Sequence, residues 1–170
     1  MSVEEQESSR ELQTTIEAVY EGWKEYDTKL RECVASIPNE ALELRATNDS
    51  KSVGEILRHI ISVRAGWFSG TLQDPDDVMN GYILWDSLEP LTLTIEVLEK
   101  GLCETWAFME ARLVRWTPAD CAVCFPDEWN GQIFEVSRSW VIYHVMEHDH
   151  HHGGQVSFIL GINGLKGLAI

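Results

Sequence analysis

The sequence predicts an all-α protein, a four-helix bundle with one short β-hairpin before the last helix. Four long segments carry apolar residues at helical spacing, and a single stretch is β-like in composition with an Asn-Gly turn at its centre. The 170 residues, of which 44% are hydrophobic, are enough for one core. Since no repeat or linker divides the chain, we expect a single domain over residues 1–170.

The first helix is expected at about residues 9–36, where apolar side chains recur every three or four positions. This stripe consists of Leu12, Ile16, Val19, Trp23, Tyr26, Leu30, Val34 and Ile37. Pro38 follows and ends the helix, because proline has no amide hydrogen to donate. Residues 41–46 predict a further short helix.

The second helix is expected from Ser52 to about Phe68, before Gly70. Ser52 is a suitable N-cap, and Glu55 three residues later completes a capping-box pattern. Its apolar face carries His59 together with Ile56, Ile60, Val63 and Trp67. The acidic and turn-rich residues 74–86 predict a long loop.

The third helix is expected at about residues 92–116, because a further apolar stripe runs along it up to Thr117-Pro118. Residues 121–136 are β-like in composition, with Asn130-Gly131 near their centre. This dipeptide favours a tight turn between antiparallel strands, so we expect a short hairpin here.

The last helix is expected to begin at Ser137 or Ser139 and to end near Gly161. It carries five of the six histidines of the chain: His144, His148, His150, His151 and His152. Because a helix turns about 100° per residue, three of them share one face with apolar residues: His144, His148 and His152. His150 falls on the opposite side, which predicts exposure to solvent.

These histidines predict a metal site, because imidazole is the commonest nitrogen ligand for zinc and similar metals. Two imidazoles at i and i+4 can bind one ion, and His148 forms such a pair with either His144 or His152. The remaining histidine, His59 on the second helix, is either the third ligand or a hydrogen-bonded core residue. Glu55, one turn before His59, is a candidate acceptor for its second ring N–H, unless Glu55 serves only the capping box.

Two stretches of the sequence resemble motifs of the DinB/YfiT-like superfamily. Residues 140–155 match the pattern HxxxHxxHHxGQ of its last helix, and residues 52–60, SVGEILRHI, resemble a motif of its second helix. The resemblance covers essentially the whole chain. It implies a four-helix bundle in which His59, His148 and His152 bind nickel or zinc, and it leaves open whether His144 is a further ligand.

The chain departs from the superfamily pattern at two positions near these histidines. Members often have a basic residue after the last ligand, where this chain has Gly153. They often have an acidic residue about five positions after the first ligand, where this chain has Arg64. Both positions bear on the expected substrate pocket.

The resemblance implies a metal-dependent enzyme with a small-molecule substrate, because the superfamily includes thiol-dependent S-transferases, maleylpyruvate isomerases and proteins described as hydrolases. Three protein ligands also leave coordination positions open. We expect a thiol S-transferase, in which the metal activates a low-molecular-weight thiol. Arg64 and Arg138 are candidates to contact its anionic groups, or are surface or ion-paired arginines.

Two other functions stay open. A hydrolase would activate metal-bound water with Glu55 or Glu147 as general base. A non-enzymatic protein would only hold the metal.

The charge of the chain argues against two kinds of partner. With 28 acidic against 13 basic residues, the net charge of −15 disfavours binding to nucleic acid or to anionic lipid. The polar, acidic N-terminal residues do not resemble a signal peptide, and no apolar run reaches the roughly 18 residues that span a bilayer. We therefore expect a cytoplasmic protein, and the resemblance implies a homodimer. The four cysteines, two of them in CAVC, are expected to be unremarkable thiols.

Overall fold

The computed structural model describes residues 3–87 and 92–169, with side chains from residue 20 onward. Within this part of the chain, six α-helices surround a core and one β-hairpin precedes the last of them. In chain order they are α1 (Val3–Ser36), α2 (Val53–Ala65), α3 (Asp77–Ile83), α4 (Ile95–Leu113), α5 (Pro118–Cys121), β1 (Cys124–Trp129), β2 (Gln132–Ser137) and α6 (Arg138–Ile162).

The four long helices form the predicted bundle. Helix α2 packs against α4 and α6, and α1 packs against the same two helices, so that α1 and α2 lie at opposite corners. The apolar faces meet in a continuous core that includes Trp23, Leu57, Leu102 and Val145. The prediction of an all-α four-helix bundle is therefore confirmed.

The predicted stripe of α1 is buried wherever its side chains are described. Trp23, Tyr26, Leu30, Val34 and Ile37 all lie in the buried core. The earlier members of this stripe lie outside the described side chains: Leu12, Ile16 and Val19. The helix ends at Ser36, two residues before the proline that cannot continue its hydrogen-bond ladder.

Helix α2 begins at the predicted capping box. The Ser52 hydroxyl accepts from the Glu55 amide at 3.2 Å, and the Glu55 carboxylate accepts from the Ser52 amide at 2.7 Å. Beyond Ala65 the chain continues as a π-helical segment, Gly66–Thr71, so the helical path ends slightly after the predicted residue.

The prediction of a long loop at residues 74–86 is wrong. The Asp76 carboxylate accepts hydrogen bonds from the amides of Val78 and Met79 and so starts α3. A 3-10 turn, Leu84–Asp86, follows α3 directly. Met79 and Tyr82 are buried, so this short helix is held by tertiary packing. Helix α3 and the turn after it place Asp86 beside α2, where its carboxylate contacts His59.

The hairpin and the start of α6 follow the predicted local signals. Asn130 and Gly131 have φ values of 53° and 75°, which a tight hairpin turn of this kind requires. The first residue pair after the turn is Trp129 with Gln132. Ser137 is the N-cap of α6, since its side chain accepts from the Trp140 amide. Within the described residues, none of the helices is both long enough and apolar enough to cross a bilayer.

Candidate metal centre

Three histidines from two helices meet at one side of the bundle, and we call them the histidine triad: His59, His148 and His152. His59 lies in the middle of α2, and the other two lie one turn apart on α6, which packs against α2. The ring centroids are 4.8 Å apart for His59 and His148, 4.9 Å for His59 and His152, and 4.3 Å for His148 and His152. One nitrogen from each ring lies within 4.8 Å of the other two, close enough for one metal ion to be shared.

The orientation of the His59 ring is set by Asp86. The His59 Nδ1 lies 2.5 Å from the Asp86 carboxylate and donates its proton to it. Burial alone raises the pKa of Asp86, but the hydrogen bond and the charge of His59 outweigh burial and lower the pKa below its ordinary value. Asp86 is thus a carboxylate at neutral pH, and the lone pair of His59 is on Nε2, which faces the triad.

The orientation of the His152 ring is set by Gln155. The His152 Nδ1 lies 2.8 Å from the Gln155 carbonyl oxygen, and the Gln155 amide nitrogen lies 3.1 Å from His151 Nε2. With the Gln155 oxygen toward His152 and its nitrogen toward His151, the amide accepts from His152 and donates to His151, which assigns the proton of His152 to Nδ1. Its Nε2 therefore also presents a lone pair toward the triad.

His148 is the most buried member of the triad. Burial, followed by the nearby His152 and His59, lowers the pKa of His148 to about 3, so that its ring is neutral at physiological pH. Its Nε2 lies 3.1 Å from the Nε2 of His59, and its Nδ1 is buried without a hydrogen-bond partner. Three imidazoles whose ring nitrogens converge fit a divalent cation, because imidazole nitrogen is a common ligand of such metals.

His144 does not join the triad. Its ring is stacked on Trp140 with centroids 4.8 Å apart and meets the edge of Trp67 at 4.8 Å. The ring centroid lies 6.4 Å from that of His148. His144 therefore packs in an aromatic group one turn from the site.

His150 is exposed, as the helical spacing predicts. Its Nδ1 approaches the carbonyl oxygen of Met146 at 2.6 Å, and its ring packs on Tyr26 with centroids 4.1 Å apart. Both contacts direct this ring away from the triad.

Of the two glutamates expected to assist the site, Glu55 is engaged elsewhere. The Glu55 carboxylate is bound to the Ser52 amide and pairs with Arg45 at 2.7 Å. The hydrogen bond from the Ser52 backbone is the main reason why the pKa of Glu55 is lowered. Glu147 is exposed on α6. The partner of His59 is Asp86 instead, which lies 27 positions away in the chain.

A second set of polar side chains, the buried ion cluster, lies beside the triad and consists of Asp27, Arg64 and Asp149, each with 0% exposure. The Arg64 guanidinium donates to Asp27 at 2.8 Å and to Asp149 at 2.8 Å. Trp23 Nε1 also donates to Asp149, at 2.8 Å. Burial by itself lowers the pKa of Arg64, but the two carboxylates outweigh burial and raise the pKa above its ordinary value.

Both arginines expected near the substrate are committed elsewhere. Arg64 is buried and ion-paired with Asp27 and Asp149, which was one of the two predicted alternatives. The other alternative, contact with an anionic group of a bound thiol, is wrong for this residue. Arg138 stacks over Trp116 at 4.7 Å and over Phe125 at 5.0 Å. The contact with Phe125 ties Arg138 to the hairpin. Because Arg138 lies about 15 Å along α6 from His148, it does not contact the triad.

The buried ion cluster was not predicted, although the sequence carries a signal for it. Asp27 lies between Trp23 and Leu30 on the apolar stripe of α1, and Asp149 lies four residues after Val145 on the apolar face of α6. A charged residue where the helical period calls for an apolar one indicates a buried, paired charge.

The departure at Gly153 also has a structural cause. A Cβ atom at this position would lie 2.0 Å from the hydroxyl oxygen of Tyr26, which approaches α6 and donates to the Asp149 carbonyl oxygen at 3.3 Å. Any side chain would therefore displace Tyr26, and the close contact between α1 and α6 requires glycine.

A cleft of roughly 660 Å³ opens beside the triad. Its walls include His152 and His151 from α6 and Lys51 from the loop before α2. The apolar part of the wall is formed by Ala46, Ile56, Phe158 and Ile159. The cleft is large enough for a small organic molecule to reach the triad.

The fold and the site define the class of this protein: a four-helix bundle in which three facing histidines could hold a metal ion. The chain belongs to the DinB family, whose sequence model matches residues 9–169. No curated protein sequence resembles it at a significant level.

Solved structures share the fold. A DinB-like protein from Bacillus cereus is 18% identical, with 91% of this chain and 96% of that chain covered and a TM-score of 0.71. A DinB-like protein from Bacillus subtilis is 17% identical, with coverages of 87% and 93% and a TM-score of 0.62. A conserved protein from Enterococcus faecalis is 15% identical, with coverages of 83% and 94% and a TM-score of 0.63. At these identities the likeness concerns the fold alone.

Proposed function

We propose that this protein is a metal-dependent enzyme of the thiol S-transferase type, in which His59, His148 and His152 hold a divalent nickel or zinc ion and a small thiol binds beside them. The observation that carries the proposal is the convergence of three imidazoles beside an open cleft whose wall includes His152. A closed structural site would use a fourth protein ligand. Among the described residues, the group that could hold a metal contains only these three histidines.

The chain's own residues prepare this site in three ways. Asp86 holds the proton of His59 on Nδ1, and Gln155 holds the proton of His152 on Nδ1, so both rings keep Nε2 free. Burial keeps His148 neutral. When bound, a divalent metal with three protein ligands supplies Lewis acidity, which lowers the pKa of a thiol or of water at its remaining positions.

Transfer from a thiol is favoured over hydrolysis because the described lining of the cleft offers no carboxylate as general base. Glu55 is bound in the capping box, and Glu147 is exposed on α6. Among the described residues that line the cleft, none is acidic. Hydrolysis gains from a carboxylate that accepts a proton from water, whereas a thiol acidified by a metal needs no protein base.

The test begins with the metal content of the purified protein and continues with thiol titrations of a cobalt- or nickel-loaded sample. We expect about one metal ion per chain, a sulfur-to-metal charge-transfer band when thiol is added, and thiol-dependent consumption of an electrophile. His59→Ala should lose metal and band together, whereas His150→Ala, which removes an imidazole outside the triad, should keep both.

Each other outcome is informative. Ester or amide turnover without thiol would replace the proposal with hydrolysis. Thiol binding without turnover of any electrophile would leave a non-enzymatic metal-binding protein. Absence of metal from protein purified and reconstituted with nickel, zinc and cobalt would overturn the proposal.

A further inference from the structure

One positive charge lies in the wall of the cleft beside the triad. Lys51 is the basic residue among the described lining residues, in a chain whose net charge is −15. Its side chain is exposed, and it forms no ion pair within 4.0 Å with any carboxylate of the described side chains. The charge of Lys51 is one of those that lower the pKa of Asp86, but a lysine without a direct ion pair in a cleft wall is still suited to an anion from outside.

The loop before α2 holds Lys51 in place. Arg45 and Ser52 form an antiparallel bridge across the loop, and Arg45 also donates to the Ser50 carbonyl oxygen at 2.5 Å. The charge of Arg45 is neutralised by Glu55 at 2.7 Å. Arg45 is therefore paired within the protein, whereas Lys51 lines the cleft.

Another part of the wall is apolar. Ile56 and Ile159 are nearly fully buried beneath it, but Phe158 is 61% exposed although it is a large aromatic residue. Phe158 lies six residues after His152 on α6 and lines the same cleft. An exposed aromatic ring in a cleft wall is suited to contact the apolar part of a ligand.

We infer that the cleft takes an organic carboxylate with an apolar segment, whose charge pairs with Lys51 and whose apolar segment packs on Phe158 while its other end reaches the triad. The inference rests on the proposed function only for the role of the triad at the reacting end. The recognition of charge and of apolar surface belongs to Lys51 and Phe158 and does not need a metal.

The experiment compares two probes of nearly equal shape, 4-phenylbutyrate and its neutral amide, by isothermal titration calorimetry. We expect the metal-loaded and the metal-free wild type to bind the carboxylate about two- to fivefold more tightly than the amide, as a single accessible ion pair provides. Lys51→Gln should abolish this preference and leave the amide affinity unchanged. Phe158→Ala should weaken both probes by a similar factor, on the order of tenfold.

The matched control is Lys100→Gln. Lys100 has a 70% exposed side chain on α4 and lies outside the cleft, so this variant removes the same charge and should keep the preference. Equal affinity of wild type for both probes, no binding of either, or a preference that survives in Lys51→Gln would overturn the inference. A preference that is present with metal, absent without it and unaffected by Lys51→Gln would assign the carboxylate to the metal and not to Lys51.

The outcomes separate this inference from the proposed function. A protein that binds no metal or no thiol, yet prefers the carboxylate in a Lys51-dependent way, would contradict only the proposed function. A protein with metal and a thiol-dependent band, but without the preference, would contradict only the inference.

Discussion

The histidine triad and the buried ion cluster join the same two helices at neighbouring positions, but their polar groups are satisfied in opposite ways. Arg64 lies five residues after His59 on α2, and Asp149 directly follows His148 on α6. In the buried ion cluster each charge faces an opposite charge within 2.8 Å, with Asp27 as the third member. In the triad, three ring nitrogens converge within 4.8 Å of one another.

This difference separates a structural role from a functional one. The buried ion cluster is complete within the chain, since Arg31 and Trp23 also bind its two carboxylates. Breaking it leaves charge in the core, which is costly. The triad, by contrast, could hold a metal ion from outside the chain, and His152 lines an open cleft. Four changes test this contrast, beginning with the largest expected effect.

Arg64→Leu should lower the free energy of unfolding by about 3–5 kcal/mol, because it leaves Asp149 buried without a counter-charge and leaves Asp27 with Arg31 alone. Urea denaturation, monitored by circular dichroism with EDTA and again with added nickel, measures the loss. We expect the same loss in both conditions, since the buried ion cluster does not depend on metal. A loss below about 1 kcal/mol would contradict its structural role.

His59→Leu should have the opposite dependence on metal. Without metal, this variant should unfold within about 1 kcal/mol of the wild type, because an apolar side chain replaces a partly buried ring that lacks its cation. With nickel or zinc at one hundred times the dissociation constant, the wild type should gain about 2.7 kcal/mol and the variant nothing.

His150→Ala serves as its control and should gain as much from metal as the wild type. Equal metal stabilisation of His59→Leu and the wild type would show that His59 is not a ligand.

Asp86→Asn should weaken metal binding by about 10- to 100-fold, since the ring of His59 loses the carboxylate that orients it. Glu147→Gln makes the same change of charge at an exposed position of α6 and should leave the affinity unchanged. Competition with a chromophoric chelator measures both. If the two variants bind metal equally well, Asp86 does not support the site.

The metal-free protein should lose stability as the pH falls. Burial is the main cause that lowers the pKa of His148 to about 3, and it also lowers the pKa of His152. The unfolded chain therefore takes up protons below about pH 6.5 that the native chain does not, and acid favours unfolding from there down to about pH 3. In EDTA, the melting temperature should fall between pH 7.5 and 5, and His148→Gln should reduce this fall. A melting temperature independent of pH in wild type would contradict the neutral, buried ring.

Local signals in the sequence determined most of the helical architecture. The apolar stripe of α1, the capping box of Ser52 and Glu55, and the Asn130-Gly131 turn depend on residues within a few positions of one another. Such short-range patterns predict the periodicity and the ends of a helix or strand, provided that the helix or strand is long enough to show them. The spacing of His148 and His152 is likewise a property of one helix.

Helix α3 lacked such a signal because its seven residues span only about two turns. It is held by the burial of Met79 and Tyr82, which depends on the packing of other helices against it. For the same reason Asp86 could not be assigned to His59, whereas Glu55, closer in sequence, was a candidate.

Only the tertiary structure decided which side chains meet. The choice of His152 over His144 as the partner of His148 depends on where α2 crosses α6, and Trp67 and Trp140 enclose His144 at that crossing. Hydrophobic periodicity sets which face of each helix turns inward, because that face carries the apolar area that folding removes from water. It does not set the rotation and height at which two helices pack, because these follow from the fit of all side chains in the core.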